Sequence, residues 1–244
     1  MQFKPKIAAA VIFPVPIPAS SILSGGSVSK TIRTVPAILT DDPISLGKMV
    51  LQAENFTSHA QFDIMDGQFV PSRSVSCQQI AALQTKLIWE AHLMVLHPEE
   101  YLEDFRRAGA RKIVFHYEAT ASPIEVIRQI RNLGMQAGLA INPRTSTTAI
   151  NPLIRELDSV LFMSVNPGFY GAEFIPEVLD KIVTFRKAHP GMELGIDGGI
   201  KESNIAKIAG TGVNVIYIGS AIFMQPQPAE SYRRLTIIAQ ANAP

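Results

Sequence analysis

From Val35 onward the sequence alternates short apolar or β-branched runs with amphipathic stretches, a pattern satisfied by parallel strands joined through crossover helices. Eight runs read as strands: Pro36 to Leu39, Gln61 to Met65, Leu87 to Met94, Lys112 to His116, Gln136 to Ile141, Ser159 to Met163, Glu193 to Ile196 and Val213 to Ile218. Each is followed by a turn signal. Apolar residues recur three or four apart in Glu99 to Ala108, Pro123 to Leu133, Ile175 to Ala188 and Glu202 to Ala209, which predicts helices there. Eight βα units closing on themselves predict an α/β protein, a single-domain (β/α)8 TIM barrel over residues 35–244. The open alternative, a doubly wound sheet, lacks its own signals: no Gly-x-Gly-x-x-Gly follows the first strand and no Walker-type loop is present. A length of 244 residues with 47% apolar content suits one large core.

Residues 1–34 differ in character. Pro, Ser, Ala and Ile are frequent, the charges are Lys4, Lys6, Lys30 and Arg33, and the first acid is Asp41. The segment reads as an N-terminal extension, loose or targeting. Scattered Ser without acids suits an organelle transit peptide, but Arg is scarce and Pro14, Pro16 and Pro18 break any amphipathic helix. The apolar stretch from Ile7 to Ile17 is too short to span a bilayer. A formal charge of +1 without a run of Lys or Arg argues against nucleic acid and membrane surfaces as partners. Cys77 is the only cysteine, so no intrachain disulfide or thiolate zinc site can form, and a reducing, cytoplasmic setting is expected.

In such a barrel the chemistry sits where strands end and βα loops begin. The polar residues at those points are Thr40, Asp63, His92, His116, Asn142, Ser164, Asp197 and Gly219. Any one of them alone would pass as a helix cap or a loop hydrogen bond. Eight together exceed what a bland core requires.

Four stretches carry a resemblance: FDIMDGQFVP from Phe62, AHLMV from Ala91, MSVNPG from Met163 and GIDGG from Gly195. In this order and at barrel spacing, with PAILT before them and IGSAIF after, the chain resembles the ribulose-phosphate 3-epimerase family from about Val35 to Phe223. The resemblance implies inversion of C3 of a ketose phosphate, ribulose 5-phosphate to xylulose 5-phosphate, by two-base proton transfer through an enediolate. Asp63 and Asp197 match the two catalytic aspartates. The family's divalent metal, whether zinc, iron, manganese, cobalt or magnesium, would be held by Asp63, His92 and Asp197. The fourth ligand position, a histidine in the family, is Gln61 here, a poorer partner for zinc than imidazole, which places the metal in question.

By the same resemblance Thr40, Met65, Met94, Met163, Asn166 and Gly168 contact the sugar, Thr40 standing where serine is usual. From the residues alone the methionines read more readily as packing. Gly198, Gly199, Gly219 and Ser220, in the loops after the seventh and eighth strands, match the place where barrels hold phosphate through backbone N–H groups. His116 has no assigned catalytic part and reads as a strand-end hydrogen bonder. Tyr170 and Ala172 replace a family Gly and Gln, while Ser72, Ser74 and Ser76 replace Asn, Thr and Gly, so the substrate cover is reshaped. A homo-oligomer acting on a small phosphosugar is the expectation. Alternatives stay open: a six-carbon substrate such as allulose 6-phosphate, a metal-free phosphosugar-binding barrel, or another enolate-type barrel enzyme.

Overall fold

The computed structural model describes residues 32–168 and 172–244, and in it eight parallel strands close into a barrel in the order β1 to β8. The expectations for residues 1–31 and for Tyr170 lie outside the described residues. The first half runs β1 (Arg33–Ile38), α1 (Pro43–Glu54), β2 (His59–Met65), α2 (Cys77–Ala81), β3 (Ile88–Met94), α3 (Leu102–Ala108), β4 (Lys112–His116) and α4 (Pro123–Asn132). The second half runs β5 (Gln136–Ile141), a 3-10 segment (Thr147–Glu156), β6 (Ser159–Met163), α5 (Val178–Ala188) and β7 (Glu193–Asp197). It ends with α6 (Ile205–Ala209), β8 (Val215–Ile218), α7 (Ser220–Phe223) and α8 (Pro228–Ala241).

Side chains of a strand alternate between its two faces, and here the faces divide the chemistry. On β2, Ala60, Phe62 and Ile64 join the apolar layer between strands and helices, leaving Gln61, Asp63 and Met65 for the lumen. On β3, Trp89, Ala91 and Leu93 face that layer, leaving Glu90, His92 and Met94. On β7, Leu194 and Ile196 do so, leaving Glu193, Gly195 and Asp197. Lumen residues Val35, Ala37, Val114, Ala140, Leu161, Val215 and Tyr217 form a second apolar cluster that fills the barrel. Gly195 belongs to this filling: a β-carbon there would lie 2.8 Å from the Tyr217 ring.

The N-terminal end of the lumen is closed by charge. Lys112 Nζ lies 3.2 Å from Glu90 Oε2 and 3.1 Å from Glu193 Oε1, and Arg33 also pairs with Glu193. Burial works against the Lys112 cation, but the two carboxylates outweigh it and its pKa is raised.

Several boundaries differ from the sequence expectation. Glu99 to Ala108 is two elements, a 3-10 turn (Pro98–Glu100) and α3, separated at Tyr101, whose N–H bonds the Pro98 carbonyl. α5 starts at Val178 because the N–H groups of Val178 and Leu179 bond three residues back, to Ile175 and Pro176, as turns do. α6 starts at Ile205 because Asn204 accepts from Lys201 N–H and donates to the Gly199 carbonyl, holding the preceding residues in a turn. β8 starts at Val215, since the Asn214 side chain takes the Leu194 N–H and the Arg186 guanidinium. β1 begins at Arg33 and pairs from that residue with Val215 of β8.

Candidate active site

Three strands deliver the central carboxylate–imidazole group. Asp63 and His92 are lateral neighbours in the β2–β3 register, and Asp197 ends β7. All three are buried, and one ligand atom from each lies within 4.8 Å of the others, a grouping that can hold a metal ion. Gln61, two residues before Asp63 on the same face, is fully buried beneath them. Its Nε2 donates to Asp63 Oδ1 at 2.9 Å and to Asp197 Oδ2 at 2.7 Å. One amide thus ties the two carboxylates together. Its other atom, Oε1, is buried without a partner among the described residues.

Burial and the neighbouring Asp197 push the Asp63 carboxyl up to about 6, against the pull of His92 and Gln61. For His92 burial acts downward, but hydrogen bonds and charge from Asp197 and Asp63 outweigh it and lift the ring to about 9. The contacts agree: His92 Nδ1 lies 3.0 Å from Asp63 Oδ1 and 3.6 Å from Asp197 Oδ2. A carboxyl that titrates near neutrality, facing a group able to carry positive charge, is suited to exchanging protons with a bound molecule.

Behind His92 stands His116, at the end of β4. The two Nε2 atoms are 3.0 Å apart and the rings stack with centroids 5.1 Å apart. Burial and then repulsion from His92 pull His116 down to about 4, although Glu118 opposes this. Phe69 packs on His116 with ring centroids 4.8 Å apart. Asp66 sets the loop that carries Phe69: its Oδ1 accepts from Gln68 N and Phe69 N, and its Oδ2 accepts from Leu96 N. Sequence reasoning passed over Asp66, although an acid one residue past a strand end, before Gly67, is a signal for loop capping.

A cavity open to solvent lies over this group. Asp63, His92 and Asp197 line it together with Met65, Met94 and Met163. Gly168, Gly198, Gly199, Gly219 and Ser220 line it as well, as does Ala172. Gly198 and Gly199 have φ of +111° and +63°, a backbone conformation that favours glycine, and a β-carbon at Gly199 would meet Phe174 at 3.1 Å. Ser164 fixes the end of β7 by donating from Oγ to the carbonyls of Asp197 and Gly198.

Two sequence candidates stand apart from the lining. Thr40 borders a neighbouring cavity with Asp41, Ser72 and Arg73, and its hydroxyl accepts from Asp42 N–H; Leu39 takes the place beside the central cavity. Asn166 is exposed.

Residues 33–223 match the family model described as the ribulose-phosphate 3 epimerase family. A curated ribulose-phosphate 3-epimerase of Synechocystis is 38% identical over 84% of this chain and 93% of its own. Another, from Schizosaccharomyces pombe, is 35% identical over 81% of this chain and 90% of its own. Among solved structures, 3-hexulose-6-phosphate synthase from Salmonella typhimurium superposes with a TM-score of 0.66 at 16% identity, covering 86% of this chain and all of that one, a likeness of fold alone.

Proposed function

Because the chain belongs to the ribulose-phosphate 3-epimerase family, we propose that it inverts C3 of a ketose phosphate, ribulose 5-phosphate to xylulose 5-phosphate. The supporting observation is the pair of buried carboxylates from β2 and β7, joined by one amide on the floor of a cavity with a glycine-rich wall. One carboxylate removes the C3 proton, and the electron pair moves onto the C2 carbonyl oxygen to give an enediolate. The other carboxylate returns a proton to the opposite face of C3, which inverts it. Asp63, titrating at about 6, can hold a proton at the pH where the reaction runs. The three methionines present an apolar wall to the flat intermediate and exclude water. Backbone N–H groups around Gly198, Gly199, Gly219 and Ser220 hold the phosphate, where glycine permits close approach.

A divalent ion fits the donor set. Asp63, His92 and Asp197 would hold it, and the partnerless Gln61 Oε1 becomes a weak fourth oxygen donor if the amide turns over. When bound, the ion supplies Lewis-acid stabilisation of negative charge on the substrate oxygens. A set richer in oxygen than in imidazole suits magnesium or manganese as well as zinc.

The same reading includes self-association through α1 and α8, which touch and expose Ile44, Leu51 and Ile237. Among the described residues no helix is long and apolar enough to cross a membrane.

The test is incubation with ribulose 5-phosphate in heavy water, with and without chelator. Deuterium at C3 and formation of xylulose 5-phosphate are expected, with loss on chelation if the ion is needed. Absence of exchange at C3 under both conditions refutes the epimerase reading.

A further inference from the structure

We propose that Arg73 builds a second anion subsite beside the central cavity, placed for a phosphate on C1 of a ketose whose other phosphate rests on the glycine-rich wall. The ligand class is a ketose 1,5-bisphosphate, and the proposal rests on the phosphosugar reading of the central cavity. The side cavity bordered by Thr40, Asp41, Ser72 and Arg73 adjoins the central one, since Leu39, Met65 and Gly168 line both. Met65 follows Asp63 by two residues on the same face of β2. A ketose with its 5-phosphate at Gly198, Gly199, Gly219 and Ser220, and its C3 between Asp197 and Asp63, runs from β7 toward β2. Its C1 end then points past Met65 into the side cavity.

The chain around Arg73 is pinned to the strand ends. Arg73 forms an antiparallel bridge with Asp66, and the next residue is tied twice to Met65: Ser74 N–H donates to the Met65 carbonyl at 3.1 Å, and Ser74 Oγ accepts the Met65 N–H at 2.9 Å. Val75 N–H donates to the Thr40 carbonyl at 2.9 Å. The Arg73 side chain lies along Gly67, where a β-carbon would stand 2.9 Å from Nε and 3.0 Å from Cγ. Backbone and stem are held in this way, while the residue as a whole is exposed. Arginine ion pairs among the described residues belong to Arg33, Arg107, Arg128, Arg131 and Arg234, and Arg73 has none. A planar guanidinium without a carboxylate partner matches a phosphate through two parallel N–H bonds. Thr40 adds a hydroxyl, whose oxygen accepts the Asp42 N–H and whose proton is left to donate. One group opposes: the Asp41 carboxylate borders the same cavity and repels an anion there. Being exposed, it can turn toward water.

The test is calorimetric titration with ribulose 5-phosphate and with ribulose 1,5-bisphosphate, at about 0.15 M salt so that charges more than about 8 Å apart are screened. The native protein should bind the bisphosphate at least as tightly as the monophosphate. Arg73→Met keeps the stem along Gly67 and deletes the charge. It should lower affinity for the bisphosphate about 10- to 100-fold relative to that for the monophosphate, the worth of a hydrogen bond to a charged group. Arg73→Lys, which keeps the charge without the fork, should recover part of that ratio. Asp41→Asn should move the ratio the other way, toward the bisphosphate. A native protein that prefers the monophosphate, or a ratio unchanged in Arg73→Met, overturns the subsite while leaving the phosphosugar reading in place. A native protein that binds neither ligand refutes that reading itself, and the subsite with it.

Discussion

Replacing Gln61 by Leu removes the amide that donates to Asp63 and Asp197 at 2.9 and 2.7 Å while nearly keeping the side-chain volume. A hydrogen bond to a charged group contributes about 1.5–3 kcal/mol, so the two together stabilise the ionised pair by roughly 3–6 kcal/mol. Leu also removes the buried, partnerless Oε1, whose desolvation costs about 1–3 kcal/mol, so a net loss of roughly 2–3 kcal/mol is expected where both carboxylates are ionised. The bond to Asp63 alone corresponds to about one to two pH units at roughly 1.4 kcal/mol per unit. Asp63 already titrates at about 6, and Gln61 is among the groups that hold it down. The acid limb of kcat/KM should therefore move to higher pH by about one unit or more. Stability follows the same sign. A carboxyl whose folded pKa is raised from 3.8 to about 6 contributes fully below the lower value and loses that contribution as pH rises through the upper one. In Gln61→Leu the loss continues to higher pH. The gap between variant and native, read from urea midpoints, should be small near pH 4 and largest above about pH 7. An acid limb that stays in place or moves down, or a gap that widens toward acid, would exclude this role for the Gln61 amide.

The barrel was legible because period-two alternation on β2, β3 and β7 is strict: QFDIM, EAHLM and ELGID put apolar residues on one face and chemistry on the other. Asp63, His92 and Asp197 stood among the strand-end residues for that reason, and their grouping as one site came from the family resemblance. The partners of His92 were less accessible. In the register His92 lies beside Val114, so His116, two residues further on, reaches it only through the tilt of neighbouring strands around the barrel, which no single segment encodes. The buried Lys112 is of the same kind, since Glu90 and Glu193 come from strands on either side of β4 along the chain. Thr40, placed on the sugar by the resemblance, has its hydroxyl accepting the Asp42 N–H in the turn before α1, and it lines a neighbouring cavity that shares Leu39, Met65 and Gly168 with the central one.

Asp63→Asn and Asp197→Asn should each lower kcat by at least about 100-fold while substrate still binds, because each removes one proton carrier; near-native turnover in either excludes the two-base assignment. Gly219→Val should raise KM for ribulose 5-phosphate several-fold more than it lowers kcat, and an unchanged KM would move the phosphate away from this wall. Lys112→Met tests the other end of the barrel. Its Nζ, on a side chain only 7% exposed, is shared by Glu90 and Glu193. Glu193 keeps Arg33 when the lysine is removed, but Glu90 loses its only ion-pair partner among the described residues. Leaving a buried charge unpaired costs about 3–5 kcal/mol, which urea denaturation should register, and double replacement with Glu90→Leu should return much of it. Since this cluster lies at the end of the lumen away from Asp63 and Asp197, kcat should hold while stability falls. A stable Lys112→Met protein would mean that water already shields Glu90. A stable protein with lowered kcat would mean that the charge at the barrel floor is felt at the site above it.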